Sequence, residues 1–126
     1  MQSLVGIYRT EQDLKRGIEA VRQLRAEART IRVEGSRAFN PGWHLARDLD
    51  NMLLVSEAIA RCALQRKESR GAHARIDYPN LEPSFGRVNS VAVRDGDEVR
   101  VSQAPLPEMP DELRALVDAE PVAAKA

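Results

Sequence analysis

Between residues 10 and 29 the apolar positions Leu14, Ile18, Val21, Leu24 and Ala28 follow one another at intervals of four, three, three and four. That spacing places them on one face of a helix of about five turns, with the intervening Lys and Arg residues on its wet side. Thr10 stands at the N-cap position, with Glu11 and Asp13 in the first turn where the helix dipole favours negative charge. Residues 30–41 contain Gly35, Ser36, Asn40 and Pro41 and read as a connection. Asn40 is placed to cap the next helix, with Pro41 at its first position.

A second stripe of Leu45, Leu49, Met52, Leu53, Ser56, Ile59, Ala60, Ala63 and Leu64 predicts a helix over about residues 42–68. It would be about 35 to 40 Å long and could not be stable without burying that stripe. Two such helices make an incomplete core. Residues 1–8, with Leu4, Val5 and Ile7 around Gly6, contain nothing that starts a helix and look like the end of a longer element. The expectation is a three-helix bundle over residues 1–76, with an incomplete N-terminal helix as its third member.

After Gly71 the period changes. Residues 77–119 are expected to form an extended segment carrying a small β-hairpin and a short helix, and residues 120–126 an Ala-rich disordered tail. Val88, Val91 and Val93 precede Asp95-Gly96-Asp97, and Val99 and Val101 follow it. A two-residue Asp95-Gly96 turn would pair Ala92 with Val99. A three-residue loop would pair Val93 with Val99 and Val91 with Val101, grouping the valines better on one face. Pro105, Pro107 and Pro110 then break regular structure before a short helix at 111–118, with Leu113, Leu116 and Val117 on its apolar side.

The composition sharpens this picture mainly by exclusion. The chain has 126 residues, enough for one modest domain, with 19 basic and 19 acidic side chains. Zero net charge and 4% aromatics argue against a nucleic-acid partner. Scarce aromatics also leave the core to Leu, Ile, Val, Met and Ala, which suits packed helices. The single cysteine, Cys62, excludes an internal disulfide and fits a reducing compartment. No apolar run reaches the roughly 20 residues of a membrane span, and the first residues lack a signal-peptide pattern. A cytoplasmic location follows as the expectation.

Chemistry-bearing residues concentrate at the exit of the second helix. From Arg61 to Arg75 there are five Lys or Arg residues and one acid, Glu68. One reading is a capped helix C-terminus, with cations at the negative end of the dipole and Gly71 as the left-handed C′ residue. A second, compatible with it, is that Arg70 and His73 project from a tight turn to bind a partner or an anion. His44 reads as a surface or packing residue, and Cys62 as a small core residue. The two histidines and one cysteine make no metal set, Ser69 with His73 lacks the surroundings of a nucleophile, and no Gly-rich phosphate loop is present. No catalytic, cofactor-binding or metal-ligating residue is expected.

The stretch Asn51-Met52-Leu53 through Arg66-Lys67-Glu68-Ser69-Arg70-Gly71-Ala72-His73-Ala74-Arg75-Ile76-Asp77-Tyr78-Pro79 closely resembles the C-terminal domain of the succinate dehydrogenase and fumarate reductase flavoprotein family. Val5-Gly6-Ile7-Tyr8-Arg9-Thr10-Glu11 resembles the segment leading into that domain. The resemblance spans about residues 1–104. Ile76 departs from the family's usual acid or aromatic residue, and the region after Pro79 is shorter than in mitochondrial-type members.

The resemblance implies a three-helix, spectrin-like bundle followed by an extended segment. It also implies a non-catalytic structural role in a subunit that elsewhere holds FAD and interconverts succinate and fumarate. The implied partners are the flavin-binding domain of the same subunit and an iron–sulfur subunit, which would hold the protein at the periphery of the inner membrane. Arg66, Glu68, Ser69, Arg70, His73 and Arg75 are the candidate interface residues. L-aspartate oxidase, whose C-terminal domain has a similar turn, is the near alternative, and a free-standing helical protein-binding module the distant one. The uncovered apolar wall makes a homodimer of the isolated chain a further state to test.

Overall fold

The computed structural model describes residues 1–118, so the tail expected to be disordered lies outside the described residues. In chain order the elements are β1 (Tyr8–Arg9), α1 (Glu11–Ala28), α2 (Pro41–Gln65), β2 (Ala74–Arg75), a 3-10 turn (Pro83–Arg87), β3 (Val88–Asp95), β4 (Glu98–Pro105) and α3 (Asp111–Asp118). The architecture is mainly α with one small antiparallel hairpin, as the sequence implied; of the three helices, α1 and α2 are the two expected bundle members and α3 is the short helix expected at 111–118.

The expected caps are present. Thr10 Oγ1 accepts the Asp13 N–H at 3.1 Å, and the Thr10 hydroxyl donates to the Asp13 carboxylate at 2.8 Å, a reciprocal closure of the first turn of α1. Asn40 accepts the Gly42 N–H at 3.0 Å and donates to the Glu34 carbonyl at 2.9 Å, so it caps α2 and folds the connection back on it. α2 stops at Gln65, short of the expected end, because Arg66 turns to extended backbone (φ −81, ψ 98). Gly71 is therefore not the C′ residue of α2. Its left-handed backbone (φ +56) serves a separate tight turn in which Arg70 and His73 exchange backbone hydrogen bonds at 2.8 and 3.0 Å.

α1 and α2 pack against each other around Val5, Leu14, Ile18, Ala60 and Ala63, with Leu4 and Leu64 alongside. A Cβ on Gly17 would lie 2.9 Å from Val5 Cγ2, so the glycine lets residues 4–5 close onto α1. The stripe on α1 drifts from its predicted line. Leu24 is 49% exposed while Arg25, expected on the wet face, is only 5% exposed. On α2 the small residues Ala60 and Ala63 are buried, whereas Leu45, Met52 and Ile59 of the predicted stripe remain exposed.

Residues 1–8 carry one helical turn, closed by the Leu4 and Val5 amides on the Met1 carbonyl, and then enter β1. β1 pairs in parallel with β2, Tyr8 opposite Ala74 and Arg9 opposite Arg75. This ties the start of α1 to the turn beyond α2. The β3–β4 hairpin packs on α2 in a register that neither sequence alternative had. Asp95 faces Glu98 across a two-residue Gly96-Asp97 turn, so Val99 faces Arg94 and Val101 faces Ala92. Gly96 (φ +60) occupies the first turn position, where the twist of a tight hairpin demands positive φ. Val99 is buried, while Val91 and Val93 belong to the opposite, outward face.

Candidate interface site

The exit of α2 is built from two buried ion clusters. Glu68 has no exposed side-chain surface, yet it lies just beneath the arginines that cover it. Its Oε1 accepts from Arg66 at 2.6 Å and Arg70 Nε at 3.0 Å; its Oε2 accepts from Arg70 Nη2 at 3.2 Å and the Glu82 N–H at 2.9 Å. Burial pushes its carboxyl pKa up, but the bonds from Arg70, the Glu82 amide and Arg66 together outweigh that and hold it below the usual value.

Arg75 is 1% exposed. Its Nε and Nη2 form a fork on Asp77 at 2.7 Å each, and its Nη1 donates to the carbonyls of Ala63, Leu64 and Arg66 at 3.1, 3.3 and 3.3 Å. One guanidinium thus supplies donors to the orphan carbonyls at the end of α2 and suits the negative end of its dipole. Asp77 also accepts the Glu11 N–H at 2.9 Å, at the start of α1. Bonding to Arg75 lowers its pKa to about 2, against an opposing effect of burial.

Ser69 is consumed by the backbone. Its hydroxyl oxygen accepts the Arg75 N–H at 2.8 Å and lies 2.9 Å from the Tyr78 carbonyl, to which it donates. His73 Nδ1 lies 2.7 Å from Arg9 Nη1, and Nε2 lies 3.0 Å from the Arg66 carbonyl. These contacts require a neutral ring that accepts at Nδ1 and donates at Nε2. Burial lowers the His73 pKa first; Arg9, Arg75 and Arg66 lower it further, while the bond to the Arg66 carbonyl acts the other way. The structure therefore brings all six candidates together, but it turns Glu68, Ser69 and Arg75 inward. Arg70, with a side chain 38% exposed, and the edge of His73 face outward.

Sequence reasoning passed over Arg9, Asp77 and the Glu82 amide, which complete this cluster. It also missed a second one: Glu57, fully buried, accepts from Arg25 at 2.9 Å and Arg61 at 2.8 Å. Arg25 reaches on to the Asp97 carbonyl at 3.2 Å, and Arg29 to the Asp97 carboxylate at 2.6 Å, so the hairpin tip is clasped to both helices. Phase was the available signal, since Arg25 follows Val21 by four and Glu57 precedes Ala60 by three.

Chemically, this arrangement braces and orients. Ser69 has no general base free to activate it, both nitrogens of His73 are engaged, and burial keeps the Cys62 thiol protonated by raising its pKa. No group of three metal-ligating side chains converges among the described residues. The described residues do not fit a flavin dinucleotide either: no strand, glycine-rich turn and helix follow one another in a phosphate cradle. Among the described residues no helix is long and apolar enough to cross a membrane. Fold and site define a helical domain with an arginine-rich, ion-braced turn beyond its longest helix.

The comparisons with known proteins agree. The family model for the fumarate reductase flavoprotein C-terminus matches residues 1–122. The Coxiella burnetii succinate dehydrogenase flavoprotein subunit is 39% identical over 92 residues, covering 72% of this chain and 16% of that protein. The Acinetobacter baylyi L-aspartate oxidase is 43% identical over 82 residues, covering 65% of this chain and 14% of that protein. Among solved structures, Mycobacterium smegmatis Sdh1 in complex with UQ1 superposes with a TM-score of 0.82 at 39% identity, over 94% of this chain and 21% of that one. The chain belongs to the fumarate reductase flavoprotein C-terminal family, and it spans about a sixth of the length of the curated relatives it matches.

Proposed function

We propose that this chain is the structural and docking domain of a succinate- or fumarate-converting flavoprotein subunit, with FAD and the redox chemistry held by other parts of that subunit. The family match across the whole bundle and turn carries the reading. The domain packs on the flavin-binding domain and contributes to the surface that meets an iron–sulfur subunit, so it sits at the membrane periphery through its partners. Arg70 and the outer edge of His73 make the contact, while Arg66, Glu68, Ser69 and Arg75 hold them in place.

A third helix completes the bundle. Leu24, Ala28, Ile31, Leu49 and Leu53 line an apolar groove between α1 and α2, with Leu24 and Ile31 each 49% exposed. A helix running on from the turn at Met1–Val5, which already packs on Gly17, covers this groove. Left uncovered in the isolated chain, it drives homodimers.

The test is direct. The isolated chain retains no flavin and shows no succinate-dependent dye reduction, whereas the full-length subunit does both; stoichiometric FAD in the isolated chain would overturn the reading. The identity to an L-aspartate oxidase supports a second reading, in which the full protein oxidises L-aspartate. Dye reduction by the full-length subunit with succinate and with L-aspartate separates the two.

A further inference from the structure

The cleft beside the α2 exit has a charge left unmatched. It is a depression of about 410 Å³ floored by the apolar side of α2 at Ile59 and Cys62, walled by Asn89 and Ser90 of β3, and rimmed by Arg9 and His73. Around it, Arg66 and Arg70 share the one carboxylate of Glu68, and Arg75 is matched by Asp77. Arg9 donates to the Gly6 carbonyl and to His73 Nδ1 and meets no carboxylate among the described residues. Burial, and secondarily the charge of Arg75, disfavour its charged form. A charge loses solvation as it is buried, and a carboxylate set against it would offset that loss. On the floor Ile59 is 47% exposed, and on the wall the Ser90 hydroxyl is buried without a partner.

We infer that this cleft is a docking pocket in which the flavin-carrying part of the same subunit sets a carboxylate against Arg9 and an apolar side chain on Ile59. The inference rests on the function proposed above. An acidic residue beside an apolar one meets both surplus features at once. A second copy of this chain would bring the same cationic rim and be repelled. One half-exposed ion pair and one apolar contact are too weak to hold a separate protein, but they suffice for a segment joined to the same chain, whose effective concentration is high.

Cys62 in the floor reports occupancy. Its alkylation by N-ethylmaleimide, read by mass spectrometry on the tryptic peptide Cys62–Arg66, is compared in the isolated chain and in the full-length subunit. Protection of about tenfold or more is expected in the subunit, matching a pocket filled about nine-tenths of the time. Each variant is referred to its own isolated chain, because Arg9 shares the pocket with Cys62: Arg9→Glu and Arg9→Met abolish the difference between isolated chain and subunit, and Arg9→Lys keeps it. Equal rates for wild-type subunit and isolated chain would overturn the inference. So would protection that survives Arg9→Glu and Arg9→Met, or a rate in the isolated chain that those variants change as much as in the subunit. A subunit that holds FAD and oxidises its substrate while Cys62 stays reactive sinks only this pocket. A subunit without flavin sinks the functional reading itself.

Discussion

Arg75→Ala is the substitution that most directly tests how the turn is held. The guanidinium is buried, with two bonds to Asp77, two to the α2 carbonyls of Ala63 and Leu64 and one to that of the C-cap Arg66. Removing one partner of a buried ion pair costs about 3–5 kcal/mol. The Asp77 side chain is 30% exposed and keeps the Glu11 amide, so the ion-pair loss falls below that range. The orphaned carbonyls add back about 1–3 kcal/mol, less whatever water entering the vacated space recovers. The expected loss is about 3 kcal/mol, of the same order as the total stability of a small domain. With a urea slope of about 2 kcal/mol per molar, the midpoint of the isolated chain falls by about 1.5 M. Far-UV circular dichroism should follow the same transition, because the lost donors serve carbonyls at the end of the longest helix. A loss under about 1 kcal/mol at unchanged slope would refute the assignment, since a residue that merely fills space at the surface costs that little.

Four further outcomes follow from the same geometry. Asp77 has its folded pKa depressed from 3.8 to about 2, so its contribution is present above the unfolded value and is lost as pH falls through the folded one; acid unfolding of Asp77→Asn should be flatter between roughly pH 5 and 2. His73 is also depressed, from 6.5, with burial as the first cause. Stability therefore drops as pH falls below that value, and His73→Gln should flatten a pH–stability profile there. Glu57→Ala strands Arg25, two of whose nitrogens already lack partners, and should cost about 3–5 kcal/mol by chemical denaturation, whereas Arg25→Met with Glu57→Leu should recover most of it. Arg70→Ala leaves Glu68 with Arg66 and the Glu82 amide; the isolated chain should keep nearly all its stability in chemical denaturation, while, on the proposed function, co-purification of an iron–sulfur subunit with the full-length variant falls severalfold.

How far the sequence could be read depended on whether a feature is local. The N-caps at Thr10 and Asn40 are decided by residues close in sequence and stand where the pattern placed them, whereas the apolar stripes gave the two helices but not the faces they bury. The hairpin was legible as a hairpin, but its register was not, because counting valines weighed one face while the positive φ of Gly96 chose the turn. The end of α2 was misjudged for a different reason. Gly71 looks like a helix terminator in the linear sequence, yet the donors that close α2 come from Arg75, ten residues beyond Gln65 through a β-turn. Arg25 and Glu57 were hidden because hydropathy assigns charged residues to solvent. Only their phase with Val21 and Ala60 marks them as inward, and phase says nothing about whether a partner stands opposite.

The small apolar core explains why so much of this chain's order rests on ions. Among the described residues seven apolar side chains are buried, and two of them are alanines. Beyond them, the two helices are joined at one end by Arg75 and Asp77, which reach from the last carbonyls of α2 to the first amide of α1. At the other they are joined by Glu57 and Arg25, whose bond to Asp97 draws in the hairpin. Buried ion pairs add little net stability compared with apolar contacts of the same volume, but an arrangement that parts them leaves a buried charge uncompensated. A domain so built is fixed in shape before it is strongly stable. That combination suits a surface meant to be completed by a neighbour: the groove at Leu24 and Ile31 and the cleft at Arg9 are already formed in the free chain. Covering them adds apolar burial to a geometry set in advance, so binding need not also order it. Assembly should then raise the unfolding midpoint of this domain far more than any single substitution within it. The measurable form is a domain that melts early and alone when isolated, and late and together with the flavin-carrying part in the intact subunit.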